Sequence, residues 1–305
     1  MRTNRWAPLA WAVVSALLVV SAARTGWAQA QAQPTPPPAA AEPAAPAPGY
    51  VGMDTCAGCH EPVVNAFKAT PHMASSQGCE GCHGPGQAHA ENAGDKTKIR
   101  VFKGLSSVES SSTCMSCHNK DNQKHWVGSS HDSRQVACTQ CHNPHPAEGV
   151  HEKALLRQPQ MKLCTSCHLQ KKAQLIRPGH MPLREGKMEC TSCHNPHGTP
   201  NDKMLLQTSV NQNCYTCHAE KRGPFLWEHA PVRENCLNCH DAHGTINEKM
   251  LKVKAPLLCQ QCHQTSSHPG PAYPAQSRYA FNQGCLHCHT AIHGSVHPSG
   301  NRFFR

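Results

Sequence analysis

Aromatic side chains are scarce in this sequence. Six Phe, five Trp and four Tyr make up 5% of 305 residues, and apolar residues of every kind reach only 38%. A chain of this length ordinarily buries one or two apolar cores, and this one has too little material to build them unaided. Something other than side chains must fill its interior. Long apolar runs are also missing, apart from Trp11–Val20. That run falls short of the roughly 20 residues a membrane-spanning helix needs. The first 30 residues hold no twin-arginine pair, and the first cysteine is Cys56, so neither folded export nor a lipid-modified N-terminal cysteine is expected.

What the N-terminus does hold reads as an export signal over residues 1–30. Arg2 and Arg5 form a basic start, Trp11–Val20 the apolar centre, and Ala28-Gln29-Ala30 a small-residue cleavage site. An uncleaved anchor helix is the alternative, and the small-residue exit favours cleavage. Residues 31–49 are rich in Pro and Ala, the composition of an extended tether. The third segment, 50–305, contains every cysteine and is expected to be a soluble domain after export.

The twenty cysteines form ten pairs, each with two residues between its members and a histidine directly after the second. The pairs are Cys56/Cys59, Cys79/Cys82, Cys114/Cys117, Cys138/Cys141, Cys164/Cys167, Cys190/Cys193, Cys214/Cys217, Cys236/Cys239, Cys259/Cys262 and Cys285/Cys288. The histidines are His60, His83, His118, His142, His168, His194, His218, His240, His263 and His289. Zinc sites would not need the histidine in that position every time, and a disulfide framework would not need the constant gap. C-x-x-C-H is the pattern of c-type haem attachment. Two thioether bonds hold the porphyrin, and the histidine becomes the proximal ligand of its iron. Ten such motifs predict ten covalently bound haems c.

The motifs alternate in kind. Those ending at His83, His142, His194, His240 and His289 each have a free histidine close behind: His89, His145, His197, His243 and His293. Each also has one ahead of its first cysteine: His72, His131, His180, His229 and His268. Three of these five stand seven residues before that cysteine. The other five motifs have no such follower. The connecting segments repeat as well, as in Glu152-Lys153-Ala154-Leu155-Leu156, Asp202-Lys203-Met204-Leu205-Leu206 and Glu248-Lys249-Met250-Leu251. The chain therefore reads as five units of about fifty residues, each carrying a haem pair.

Five units with two free histidines each supply ten distal ligands for ten irons. His125, His151, His287 and His297 are read as surface residues, and the methionines of the Lys-Met-Leu segments as packing. A histidine three residues after a proximal one cannot pass round the same macrocycle, so His197 is expected to serve a neighbouring haem, the one attached at Cys164/Cys167. The fold class expected is a multihaem cytochrome. It should have little regular secondary structure, with short helices, among them 62–70 and 169–176, and loops wrapped round a column of haems.

The net charge of +10 does not point to nucleic acid. Removing Arg2, Arg5 and Arg24 with the signal leaves +7. Ten haems, each with two propionates and one positive ferric core, take the oxidised protein to about −3, and full reduction to about −13. The cations are better read as partners for propionates. Two histidines on every iron leave no open position for a substrate, so electron transfer at low potential is the chemistry expected. A multihaem nitrite or sulfite reductase would need an open iron and often carries a lysine-ligated motif; all ten motifs here end in histidine.

Tyr50-Val-Gly-Met-Asp-Thr-Cys56, Gly78-Cys79-Glu-Gly-Cys82-His83-Gly-Pro-Gly86 and the Cys-His-Asn-Pro-His segments at 141–145 and 193–197 resemble the MtrA/DmsE type of periplasmic decahaem cytochrome. The likeness covers essentially everything after the tether. It implies a decahaem wire held inside an outer-membrane β-barrel porin. Such a wire exchanges electrons with periplasmic or inner-membrane cytochromes at one end and an outer-surface multihaem cytochrome or other acceptor at the other. Two departures stand out. Gly84-Pro85 replaces Asn-Pro after His83, and Asp241-Ala242 replaces it after His240. The first makes His89 the weakest match of the ten. A freely diffusing periplasmic shuttle feeding a terminal reductase would share all of these features.

Overall fold

The computed structural model describes residues 48–75, 78–146, 152–263 and 284–304, all within one compact unit, Pro46–Arg305. The export signal, nearly all of the tether, His151 and His268 lie outside the described residues.

Each attachment motif closes one helical turn. The histidine N–H donates to the carbonyl of the first cysteine at 2.9–3.1 Å in the nine motifs from Cys79 to His289. The first motif lies in the longest described helix, Met53–Lys68, which bends at His60 (φ −116°, ψ 32°) and contains Pro62. One turn puts residues three and four apart on the same side, so both thiols and the imidazole face one way. The helix Ser107–Met115 starts at a capping box. The Ser106 hydroxyl accepts from the Glu109 N–H at 3.2 Å, and the Glu109 carboxylate accepts from the Ser106 N–H at 2.9 Å. The helix Leu169–Leu175 falls where the sequence places one. No described helix is long and apolar enough to cross a membrane.

Among the described residues there is no β-strand, only isolated bridges. Three of these repeat: His142 with Leu156, His194 with Leu205, and His240 with Leu251. The buried apolar side chains are few, namely Val64, Ala66, Phe67, Trp126, Ala137 and Leu175. So few side chains cannot form the core of such a domain, which agrees with the scarcity seen in the composition.

Neighbouring units clasp each other through glycine. Gly198 (φ +102°) lies against the His125 carbonyl, and Gly244 (φ +137°) against that of Gln174. Gly179 and Thr245 exchange two backbone hydrogen bonds, at 3.1 and 2.7 Å, and Trp227 and Ser295 do the same at 2.8 and 2.9 Å.

Candidate haem sites

No two of the twenty cysteines are joined in a disulfide, and none is buried. Each motif is the electrostatic neighbour of the next. Cys56 meets Cys79, Cys82 meets Cys117, Cys114 meets Cys138, Cys141 meets Cys167 and Cys164 meets Cys190. The series continues with Cys193 and Cys217, Cys214 and Cys236, Cys239 and Cys262, then Cys259 and Cys285. The ten attachment points therefore follow one another in space in chain order. First cysteines meet within a unit and second cysteines meet between units.

The imidazoles face each other in pairs. His60 faces His89, His83 faces His145, His142 faces His197, His194 faces His243, His229 faces His263, and His240 faces His293. In these six the rings are nearly parallel, 13–21° apart, with centroids separated by 5.9–6.4 Å. His72 and His118 (5.9 Å, 89°) and His131 and His168 (6.1 Å, 62°) are crossed. An iron with a metal–nitrogen bond of about 2.0–2.1 Å to each ring, plus about 1.2 Å from nitrogen to ring centre, separates centroids by about 6.4–6.6 Å, close to the spacing found. Each pair is thus spaced for one iron between its members, and the residues fit a haem.

The facing rings follow one rule. The histidine ahead of a unit's second motif reaches the first proximal histidine of the next unit. The histidine behind that motif reaches back to the second proximal histidine of the previous unit. The first unit has no other before it, so His89 turns onto its own His60, placed there by the short helix Gln87–Glu91. Gly84-Pro85 does not prevent this.

One expectation is corrected. His197 lies against His142, on the haem attached at Cys138/Cys141, and not against His168 at Cys164/Cys167. His168 already has His131, from the unit before it. His180 has no ring contact with His218 among the described residues. Its Nε2 lies 3.1 Å from the Glu185 carboxylate, which raises its pKa, and its Nδ1 meets the Arg177 carbonyl. Cys59 and Cys288 differ from the other eighteen attachment residues in their surroundings. Both are exposed, and among the described residues the structure brings neither against a cysteine of another motif. The reason is their place in the series. Second cysteines meet across the junction between units, and neither of these two faces a junction: Cys59 belongs to the first motif and Cys288 to the last.

The turn that aims the rear histidine explains the Asn-Pro pattern and its replacement. The Asn143, Asn195 and Asp241 side chains accept from the N–H of His145, His197 and His243 at 3.0–3.1 Å. The turn itself uses only the side-chain oxygen, so Asp serves it as well as Asn; the Nδ2 of Asn195 also donates to the Asn122 carbonyl at 2.9 Å. Burial, before any other cause, lowers the pKa of His72, His145, His197, His229, His243 and His293, that of His197 to about 4. These rings stay neutral, the state that ligates metal.

Sequence reasoning missed two groups of residues. Glu80 is 4% exposed, and its carboxylate accepts from the N–H of Val51, Gly52 and Gly86 at 2.8–3.0 Å, tying the start of the domain to the second motif. The Lys-Met-Leu segments, read as packing, hold the second motif of each internal unit by its backbone. Leu155, Met204 and Met250 accept from residues 143, 195 and 241 at 2.7–2.9 Å. The recurrence of the segment at a similar place after His145, His197 and His243 was the available signal.

Ten attachment motifs, eight of them with an opposed imidazole among the described residues, define a multihaem c-type cytochrome, a protein of electron transfer carrying covalent haem c. Residues 180–223 and 229–268 match the family model for a doubled CXXCH motif, and residues 79–167 that for a cytochrome c-type, NrfB-like protein. The multiheme cytochrome MtrA of Shewanella baltica (strain OS185) is 41% identical over 271 residues, 82% of this chain and 80% of the relative. The chain belongs to the MtrA family of multihaem cytochromes. A solved undecaheme cytochrome from the S-layer of Carboxydothermus ferrireducens is 22% identical, covering 75% of this chain and 32% of that one. Its TM-score is 0.16, too low to inform the fold.

Proposed function

We infer that each facing pair of histidines closes both axial positions of one iron, and that the protein carries electrons through ten such haems across the outer membrane, inside a porin partner. The eight histidine pairs spaced at 5.9–6.4 Å carry this reading. By the same rule His180 serves His218, leaving Glu185 to do so. His268 is the tenth distal ligand. Cys59 and Cys288 hold the two outermost haems together with Cys56 and Cys285. With both faces taken, the haems supply one-electron transfer, and the side chains hold and insulate them. Ligation by two imidazoles suits low potential.

The conduit role is supported by the chain-order succession of attachment points and by the number ten. Ten macrocycles in line suffice for a bilayer of about 40–45 Å. The working place is the periplasm, against the outer membrane, reached by export on the signal at 1–30. Periplasmic or inner-membrane cytochromes exchange electrons at one end, and an outer-surface cytochrome or other acceptor at the other.

Proteoliposomes test this. A dye trapped inside should be reduced from outside only when the cytochrome and its porin are both present. Equal rates without the porin would favour a soluble shuttle. Ferric EPR tests the ligation separately, since ten closed irons show low-spin signals alone.

A further inference from the structure

The ten proximal histidines are not equivalent. His83, His142, His194, His240 and His289, the second of each unit, are half-buried. The Nδ1–H of each donates to a backbone carbonyl: those of Arg100, Ala154, Lys203 and Lys249 at 2.7–2.9 Å, and that of Arg302. His60, His118, His168, His218 and His263, the first of each unit, are exposed. Among the described residues none of these five has such a carbonyl, and the Nδ1 of His218 faces the Glu220 carboxylate at 3.5 Å. On the proximal side the carbonyl follows position in the unit, whereas on the opposing side it is the rings facing first motifs, His89 and His131, whose Nδ1–H donates to a carbonyl, those of Asp95 and Pro196 at 2.9 and 2.8 Å.

In the three internal units the carbonyl comes from an unusual turn. Ala154-Leu155, Lys203-Met204 and Lys249-Met250 are successive non-glycine residues with φ between 54° and 57°. Left-handed backbone is strained for such residues, and here it occurs twice in a row in three separate places. The conformation aims both carbonyls at the motif. The first accepts from the proximal Nδ1–H, and the second from the backbone of residue 143, 195 or 241. Strain repeated at one functional position is evidence of a task.

We propose that these turns are positioning devices that lower the potential of the haem each one serves, those held at His142, His194 and His240. The inference rests on the ligation read above. A carbonyl on Nδ1–H makes the imidazole a stronger donor through Nε2, which favours ferric over ferrous iron. Greater burial of the same rings acts in the opposite direction. It changes the surroundings of the outer ring edge, whereas the hydrogen bond acts through the metal–ligand bond, so the hydrogen bond prevails. Each step moves one electron from a ferrous haem to the ferric one beside it, and the Nδ1 proton stays in place.

The test is a redox titration of the holoprotein. Lys203→Pro cannot adopt positive φ and withdraws the carbonyl from His194. It should leave ten haems attached and low-spin while moving about one-tenth of the titration to higher potential. Lys203→Gly adopts the turn freely and should titrate as the wild type does. If Lys203→Pro fails to mature, Lys203→Val disfavours the same backbone more gently and should shift the same fraction in the same direction. Unchanged titrations in the proline or valine variant sink the inference while the ligation stands. A high-spin signal in the wild type would instead sink the ligation itself.

Discussion

Among single residues, the informative positions are those that join one haem to another. Asn195-Pro196-His197 is the clearest. Its Asn side chain turns the backbone, its histidine lies against His142, and the Pro196 carbonyl accepts from the Nδ1–H of His131 at 2.8 Å. His131 in turn lies against His168. The short run from Cys193 to His197 thus bears on three haem sites in two units. Replacing His197 with alanine should leave all ten haems covalently attached and open the iron at His142. EPR should then show one high-spin haem in ten, able to take up carbon monoxide when reduced. Mass spectrometry of the peptide carrying the altered haem should identify Cys138/Cys141. Assignment to Cys164/Cys167 would restore the neighbour the sequence suggests. Proximity along the chain favours that partner in the same unit, but the units are interleaved and proximity misleads.

Among the elements, the clasp between units depends on the glycine after the rear histidine. A Cβ at Gly244 would fall on the Gln174 carbonyl oxygen, and φ of +137° is already unfavourable for any other residue. Gly244→Ala should therefore separate the segment after Leu175 from the turn after His243, at a cost of about 1–3 kcal/mol. The amides of Gly179 and Thr245, which bond each other's carbonyls, should lose protection in hydrogen exchange, while the amides of the Lys249 turn keep theirs. Loss of protection throughout the domain would mean that the clasp supports more than its own two units. The glycine is visible in the sequence at 198, 244 and 294. The backbone it must admit comes from another unit and leaves no mark beside it.

For the molecule as a whole, reciprocal exchange makes the internal units interchangeable and the ends special. Each internal unit lends one histidine forward and one back. The first unit closes on itself through His89 and His60. Deleting residues 164–213 removes one internal unit in phase. His131 should then meet His218, and His243 should meet His142. The product is expected to be an octahaem protein whose ferric EPR is low-spin throughout. High-spin signals from it would show that the units are matched to particular neighbours. The same interleaving accounts for the small apolar core, since what each unit would bury is shared with the next.

Spacing along the chain was enough to establish the number of haems, the two kinds of motif and the count of histidines available to oppose the proximal ones. All of this is chemistry between residues a few positions apart, where spacing carries the information. Even the scarcity of aromatic residues was legible as a missing core. Only the folded chain could decide which histidine faces which, why His89 turns back, and that the Lys-Met-Leu turns hold a proximal histidine rather than pack. Only there, too, do Cys59 and Cys288 stand apart from cysteines identical to them in pattern. Those contacts join segments from different units, and the distance between such segments along the chain does not encode which of several similar rings a histidine will meet.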